Sequence, residues 1–166
     1  MKTILIVEDE KDIRELLAFN CRREGFTVLE TGDGGEAVGL ASTKLPDVIL
    51  LDLMLPGTDG LSVCKELQRL RATAGIPVIM LTARGEEVDR IVGFEIGASD
   101  YVVKPFSMRE VMLRIRAVLR RTEQRPEAGP LACGAVRLDA TGHTVFAGDE
   151  AIDLTVTEFR LLEDLL

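Results

Sequence analysis

Five short apolar runs, each followed by a stretch with helical spacing, constrain this chain more than any other feature. Ile4-Leu5-Ile6-Val7, Val48-Ile49-Leu50-Leu51 and Val78-Ile79-Met80-Leu81 contain no polar residue at all. A strand with one wet face alternates apolar and polar residues, whereas an unbroken apolar strand is covered on both faces. Thr27-Val28-Leu29 and Tyr101-Val102-Val103 are shorter strands of the same kind. Between the strands the period changes. Ile13, Leu16, Leu17 and Cys21 recur at helical spacing until Gly25, and Ala37, Val38 and Ala41 follow Gly34-Gly35. Leu61, Cys64, Leu67 and Leu70 mark the next helix, then Val88, Ile91, Val92 and Ile96, then Val111, Leu113, Ile115, Val118 and Leu119. Strands alternating with helices predict an α/β fold, a doubly wound five-stranded parallel sheet with helices on both faces. Right-handed crossovers leave few strand orders for it.

The pattern breaks after residue 122. Residues 123–130, inside the polar stretch TEQRPEAGP, read as a linker. Ala135-Val136-Arg137-Leu138 and Thr144-Val145-Phe146 then alternate like antiparallel strands, and LTVTEF opens a helix with Thr155 or Thr157 as cap. The expected organisation is an α/β domain over 1–122, a linker over 123–130 and the beginning of a second domain over 131–166. Leu154, Phe159, Leu161, Leu162 and Leu165 are expected to lack the rest of their core. Charge argues against nucleic-acid binding by this tail. Residues 123–166 hold 3 Lys and Arg against 9 Asp and Glu, whereas residues 1–122 hold 17 against 19.

No apolar run is long enough to span a bilayer, and the acids that follow the short stretch in MKTILIVEDE exclude a signal peptide. Cys21, Cys64 and Cys133 have neither metal-ligand nor disulfide spacing, which points to a reducing cytoplasm. His143 is the only histidine and is expected to be solvated.

In an open parallel sheet, ligands bind beyond the carboxyl ends of the strands. Those ends carry Glu8-Asp9, Asp52, Thr82 and Lys104. Three carboxylates at one edge repel one another unless a divalent cation or a lysine neutralises them. Oxygen ligands favour Mg²⁺. Asp52 beside a cation can act as a nucleophile toward phosphorus, with Lys104 and the Thr82 hydroxyl holding phosphoryl oxygens. Gly57-Thr58-Asp59-Gly60 reads as turn chemistry, because no Gly-Lys-Ser/Thr follows it. The arginines Arg114, Arg116, Arg120 and Arg121 read equally as a solvated helix face.

ILIVEDE, VILLDLMLPGTDG, PVIMLTARGEE and GASDYVVKPFS resemble the receiver domain of bacterial two-component response regulators of the OmpR/PhoB subfamily. The resemblance spans residues 1–122 and implies a flavodoxin-like fold. It implies Asp52 as phosphoacceptor, and Glu8, Asp9, Asp52 and the Met54 carbonyl as Mg²⁺ ligands. It also implies Lys104 as the phosphate-binding lysine before a cis proline, and Thr82 with Tyr101 as a switch pair. The implied partner is a sensor histidine kinase. The implied output is a homodimer through the face made by segment 88–96, strand 101–103 and the helix after it. Arg90 is expected to pair with Glu110, Glu95 with Arg116, and Asp100 with Arg114, while Ser99 stands where the family often has an acid. Met54 and Arg84 are the positions expected to tune phosphate lifetime. Residues 131–166 resemble the start of a winged-helix effector domain, so DNA binding is expected only with the rest of that domain. A receiver that dimerises without DNA output is the alternative.

The chain is expected to be a phosphoacceptor rather than a turnover enzyme. An aspartyl phosphatase would carry a second Asp where Met54 stands, and an FMN carrier would need aromatic residues beyond one Tyr and no Trp.

Overall fold

The computed structural model describes residues 1–83 and 97–123, and beyond them 131–133, 136–139, 144–148, 150–152, 154, 158 and 161–162. The apolar runs form parallel strands β1 (Thr3–Val7), β2 (Thr27–Thr31), β3 (Val48–Asp52), β4 (Val78–Thr82) and β5 (Asp100–Val103), in the order β2-β1-β3-β4-β5. Every residue of β3 and β4 is buried. The reason lies in the two-residue period of a strand. Leu5, Val7, Ile49, Leu51 and Met80 face one way and pack on helices α2 (Gly34–Lys44) and α3 (Gly60–Arg69). Ile4, Ile6, Leu50, Ile79 and Leu81 face the other way and pack on α1 (Lys11–Arg23) and α4 (Met108–Glu123). Each fully buried leucine or isoleucine contributes roughly 1.5–3 kcal/mol, so the two faces share one sheet as a double core.

Local chemistry sets the helix ends. The Asp33 carboxylate caps α2 by accepting from the Gly35 and Glu36 amides at 2.7 and 3.0 Å, and Asp59 caps α3 by accepting from Leu61 N at 3.1 Å. Helix α3 ends at Arg69 rather than including Leu70, which takes an extended backbone and is 38% exposed. The buried Thr73 hydroxyl donates to the Leu67 carbonyl at 2.6 Å and closes that end. Helix α4 runs through Glu123, the first residue of the expected linker. The Thr122 hydroxyl turns back to the Val118 carbonyl, and Glu123 pairs with Lys2. Cys21 and Cys64 are buried and unbridged, and burial pushes the Cys21 thiol up to about 12. The segment around Val88, Ile91, Val92 and Ile96 lies outside the described residues, as do Arg84 and His143.

Beyond residue 130, β6 (Leu131–Cys133), β7 (Val136–Asp139), β8 (Thr144–Ala147) and β9 (Glu150–Ile152) form an antiparallel meander. The outer strands are additions to the two read from sequence, each being only three residues long. Leu138 and Val145 face each other across β7 and β8 and are buried, with Leu154 and Leu162 packed against them. Those two positions therefore have core partners. Leu161 is exposed, and Phe159 and Leu165 lie outside the described residues. Among the described residues, no helix is long and apolar enough to cross a membrane.

Candidate functional site

Strand β1 lies between β2 and β3, so the chain leaves β1 in one direction along the sheet and returns to its other side. That reversal opens a crevice beyond the carboxyl ends of β1 and β3. β1 delivers Glu8 and Asp9 there, and β3 delivers Asp52 as its last residue. Carboxylate oxygens of the three lie within 4.8 Å of one another. Glu8 and Asp52 are buried, whereas Asp9 is exposed at the rim. Lys104, from the end of β5, reaches across the crevice. Its ammonium lies 2.7 Å from Asp52 Oδ2 and 3.1 Å from Glu8 Oε1. The Lys104 amide donates to the Thr82 carbonyl at 2.6 Å, which anchors the start of that reach, and the Lys104–Pro105 peptide is cis as expected.

Burial opposes the charge on Lys104, but its bonds to Asp52 and Glu8 outweigh that and hold its pKa above the ordinary lysine value. Glu8 is less well served. Its Oε2 lies 2.9 Å from the lysine nitrogen but outside hydrogen-bond geometry, so this buried oxygen accepts no hydrogen bond. Burial pushes the Glu8 carboxyl up to about 7; Lys104 opposes the rise and Asp52 adds to it. One ammonium among three acids and one unsatisfied buried carboxylate oxygen fit a hard divalent cation. Glu8, Asp9 and Asp52 supply the oxygen-only donor set that Mg²⁺ prefers.

The Glu8 shift has a testable sign. Its folded pKa exceeds the ordinary 4.5, so the folded metal-free chain keeps a proton that the unfolded chain has released. That contribution is fully present below about pH 4.5 and is lost as pH rises through about 7. In chelator, the urea midpoint should fall between about pH 5.5 and pH 8, and Mg²⁺ should restore it at the higher pH. A metal-free midpoint unchanged across that range would rule out a protonated Glu8.

The remaining predicted residues divide into two groups. Asp52 Oδ1 accepts from Met54 N at 3.1 Å, while Met54 itself is 63% exposed at the mouth of the crevice. Thr82 is buried at the end of β4, and its hydroxyl donates to the Ala83 carbonyl at 3.1 Å. Tyr101 is only 4% exposed, sits opposite Met80 in the sheet and belongs to the apolar cluster rather than the acidic pocket. Away from the crevice, Arg114 binds Asp100 at 2.8 Å and Glu110 at 3.2 Å within the same chain, and Arg116 pairs with Glu24. Arg90 and Glu95 lie outside the described residues. Arg14 is a residue that strand-end reasoning misses. It sits on α1, yet its guanidinium reaches back to the loop carrying the acidic pair.

Comparison with known proteins bears on the whole arrangement. Residues 4–116 match the model of the response regulator receiver domain. The chain belongs to the response regulator family. The Sensory transduction protein RegX3 of Mycolicibacterium smegmatis is 48% identical over 170 residues, covering all of this chain and 73% of that protein. The Phosphate regulon transcriptional regulatory protein PhoB of Escherichia coli is 46% identical over 161 residues, covering 97% of this chain and 70% of that one. These likenesses, which run over the whole of this chain, place the response regulator in the OmpR/PhoB subfamily. Among solved structures, a response regulator from Chloroflexus aurantiacus superposes with a TM-score of 0.69 at 38% identity, covering 72% of this chain and 98% of that one. A mutant of RitR gives 0.82 at 25% identity and covers 99% of this chain and 72% of that one. The receiver fold and the additional antiparallel strands both accord with these matches.

Proposed function

We propose that this response regulator accepts a phosphoryl group on Asp52 from the phosphohistidine of a sensor histidine kinase, and that Mg²⁺ is held for this step by Glu8, Asp9, Asp52 and the Met54 carbonyl. One observation carries the proposal: a buried carboxylate at a strand end, paired at 2.7 Å with Lys104 and within 4.8 Å of two further acids. An Asp52 oxygen forms the new O–P bond as the N–P bond of the donor breaks, and the donor imidazole nitrogen keeps the electron pair. Lys104 is already aligned on the accepting carboxylate and would transfer a hydrogen bond to a phosphoryl oxygen. The Met54 amide holds Oδ1 and leaves Oδ2 facing Lys104. Thr82 would turn its hydroxyl from the Ala83 carbonyl toward the phosphoryl group. When bound, Mg²⁺ supplies the positive charge that lets an anionic donor approach an acidic pocket. Asp52 takes one phosphoryl group per chain, so the protein is a stoichiometric acceptor rather than a turnover enzyme.

The output follows from charge on α4 and β5. Half-exposed ion pairs are worth only about 0–1 kcal/mol, so Arg114 and Arg116 can exchange their partners within the chain for partners across a homodimer at little cost. Repacking of Thr82 and Tyr101 on phosphorylation is the bistable element that would bias this exchange. Control of transcription is inferred from the relatives, with β6–β9 as the start of the winged-helix effector domain and a cytoplasmic location to match. Incubated with acetyl phosphate and Mg²⁺, the chain should take up about one base-labile phosphate, and none in chelator. Uptake that is indifferent to Mg²⁺ would sink the metal assignment, and no uptake at all would sink the acceptor.

A further inference from the structure

The acidic pair at the end of β1 is held from behind. Arg14 Nη1 donates to the Glu8 carbonyl at 2.5 Å and to the Asp9 carbonyl at 3.1 Å. Among the described residues, Arg14 makes no ion pair with a carboxylate, although Asp9 and Glu10 are close in sequence. Its charge is spent on two consecutive main-chain oxygens. Two carbonyls drawn to one nitrogen fix the peptide planes after Glu8 and Asp9. That in turn fixes the directions in which the two carboxylates leave the loop, one into the buried pocket and one to its rim.

The turn after β2 is shaped around the same nitrogen. A Cβ at Gly32 would meet Arg14 Nη1 at 3.0 Å, Asp9 Cα at 3.6 Å and the Glu8 carbonyl at 3.6 Å. Gly32 therefore leaves the slot in which the guanidinium lies, between the β1–α1 and β2–α2 connections. Lysine offers a point charge on a mobile stem in place of the planar guanidinium, and so holds the two carbonyls less rigidly.

We infer that Arg14, seated against Gly32, is a positioning residue that preorganises Glu8 and Asp9 for a divalent cation. A loop already ordered gives up less conformational freedom when the ion binds, and groups that orient metal ligands typically change affinity by about 10–100-fold. The inference rests on the proposed Mg²⁺ site, so its test begins with the unmodified chain.

Calorimetric titration of Mg²⁺ into the full chain should show binding, and Arg14→Ala should weaken it about 10-fold. Arg14→Lys should fall between the two. Gly32→Ala, with Arg14 intact, should weaken binding in the same direction by crowding the guanidinium. In acetyl phosphate uptake, the half-saturating Mg²⁺ should rise in each variant, while the rate at saturating Mg²⁺ falls far less than the affinity. A variant that had merely lost structure would lose the saturating rate instead, and thermal unfolding would show it. Equal Mg²⁺ affinity in the unmodified, Arg14→Ala and Gly32→Ala chains overturns the inference while leaving the site intact. No Mg²⁺ binding by the unmodified chain overturns the site itself and the inference with it.

Discussion

Asp52→Asn should lower phosphoryl uptake from acetyl phosphate by on the order of 1000-fold or more, the scale expected when a nucleophile is removed. An amide is a poor nucleophile toward phosphorus and cannot form the acyl phosphate. The substitution is close to isosteric, and it removes one of three acids that converge within 4.8 Å. Lys104 keeps its bond to Glu8 at 3.1 Å. Folding should therefore survive, and in chelator the variant should be at least as resistant to urea as the parent, because like-charge repulsion in the pocket is relieved. Activity and stability thus move in opposite directions. Loss of both together would mean that Asp52 serves the fold rather than the chemistry.

Gly60→Ala should destabilise the receiver by about 1–3 kcal/mol, the range for forcing an atom into a tightly packed site. A Cβ there would run into the Asp52 carbonyl oxygen and meet Leu53 Cα at 2.7 Å and the Leu53 carbonyl at 3.0 Å. All three are main-chain atoms at the end of β3, so none can swing aside as a side chain would. The Gly60 amide also donates to the Leu53 carbonyl at 3.1 Å. Glycine therefore lets α3 begin directly against the strand that presents Asp52, and displacing it should also depress phosphoryl uptake. Gly39→Ala is the contrast. Gly39 is in α2 with nothing within 4 Å of a built Cβ, so alanine should stabilise by roughly 0.5–1 kcal/mol through helix propensity. Urea unfolding of the two variants should give shifts of opposite sign. Equal shifts would refute the packing argument at the β3–α3 junction.

The sheet was legible because its central strands β1, β3 and β4 are buried on both faces, so their composition needs no period to be read. The ends of those strands were legible for the same reason. A polar residue directly after an unbroken apolar run, as Glu8 follows Val7 and Asp52 follows Leu51, marks the edge where the crevice opens. Helix faces were harder. Leu16 and Leu113 fit a helical stripe in sequence yet are 50% and 59% exposed, because α1 and α4 carry more apolar residues than the stripe facing the sheet can cover. Arg14 and Gly32 left no trace in the reading of side-chain chemistry. Arg14 works on main-chain carbonyls, which every sequence has, and Gly32 works by lacking a side chain. The strands β6 and β9 were missed for want of length, three residues being too few to show alternation.

The most direct test of the central claim is to locate the phosphoryl group. After incubation with acetyl phosphate and Mg²⁺, borohydride reduction converts an aspartyl phosphate to a stable alcohol that survives peptide mass spectrometry. The reduced side chain should appear at position 52 alone, in the peptide containing the end of β3, and only when Mg²⁺ was present. Reduction at Asp9, Asp59 or any other acid, with Asp52 unmodified, would contradict the account.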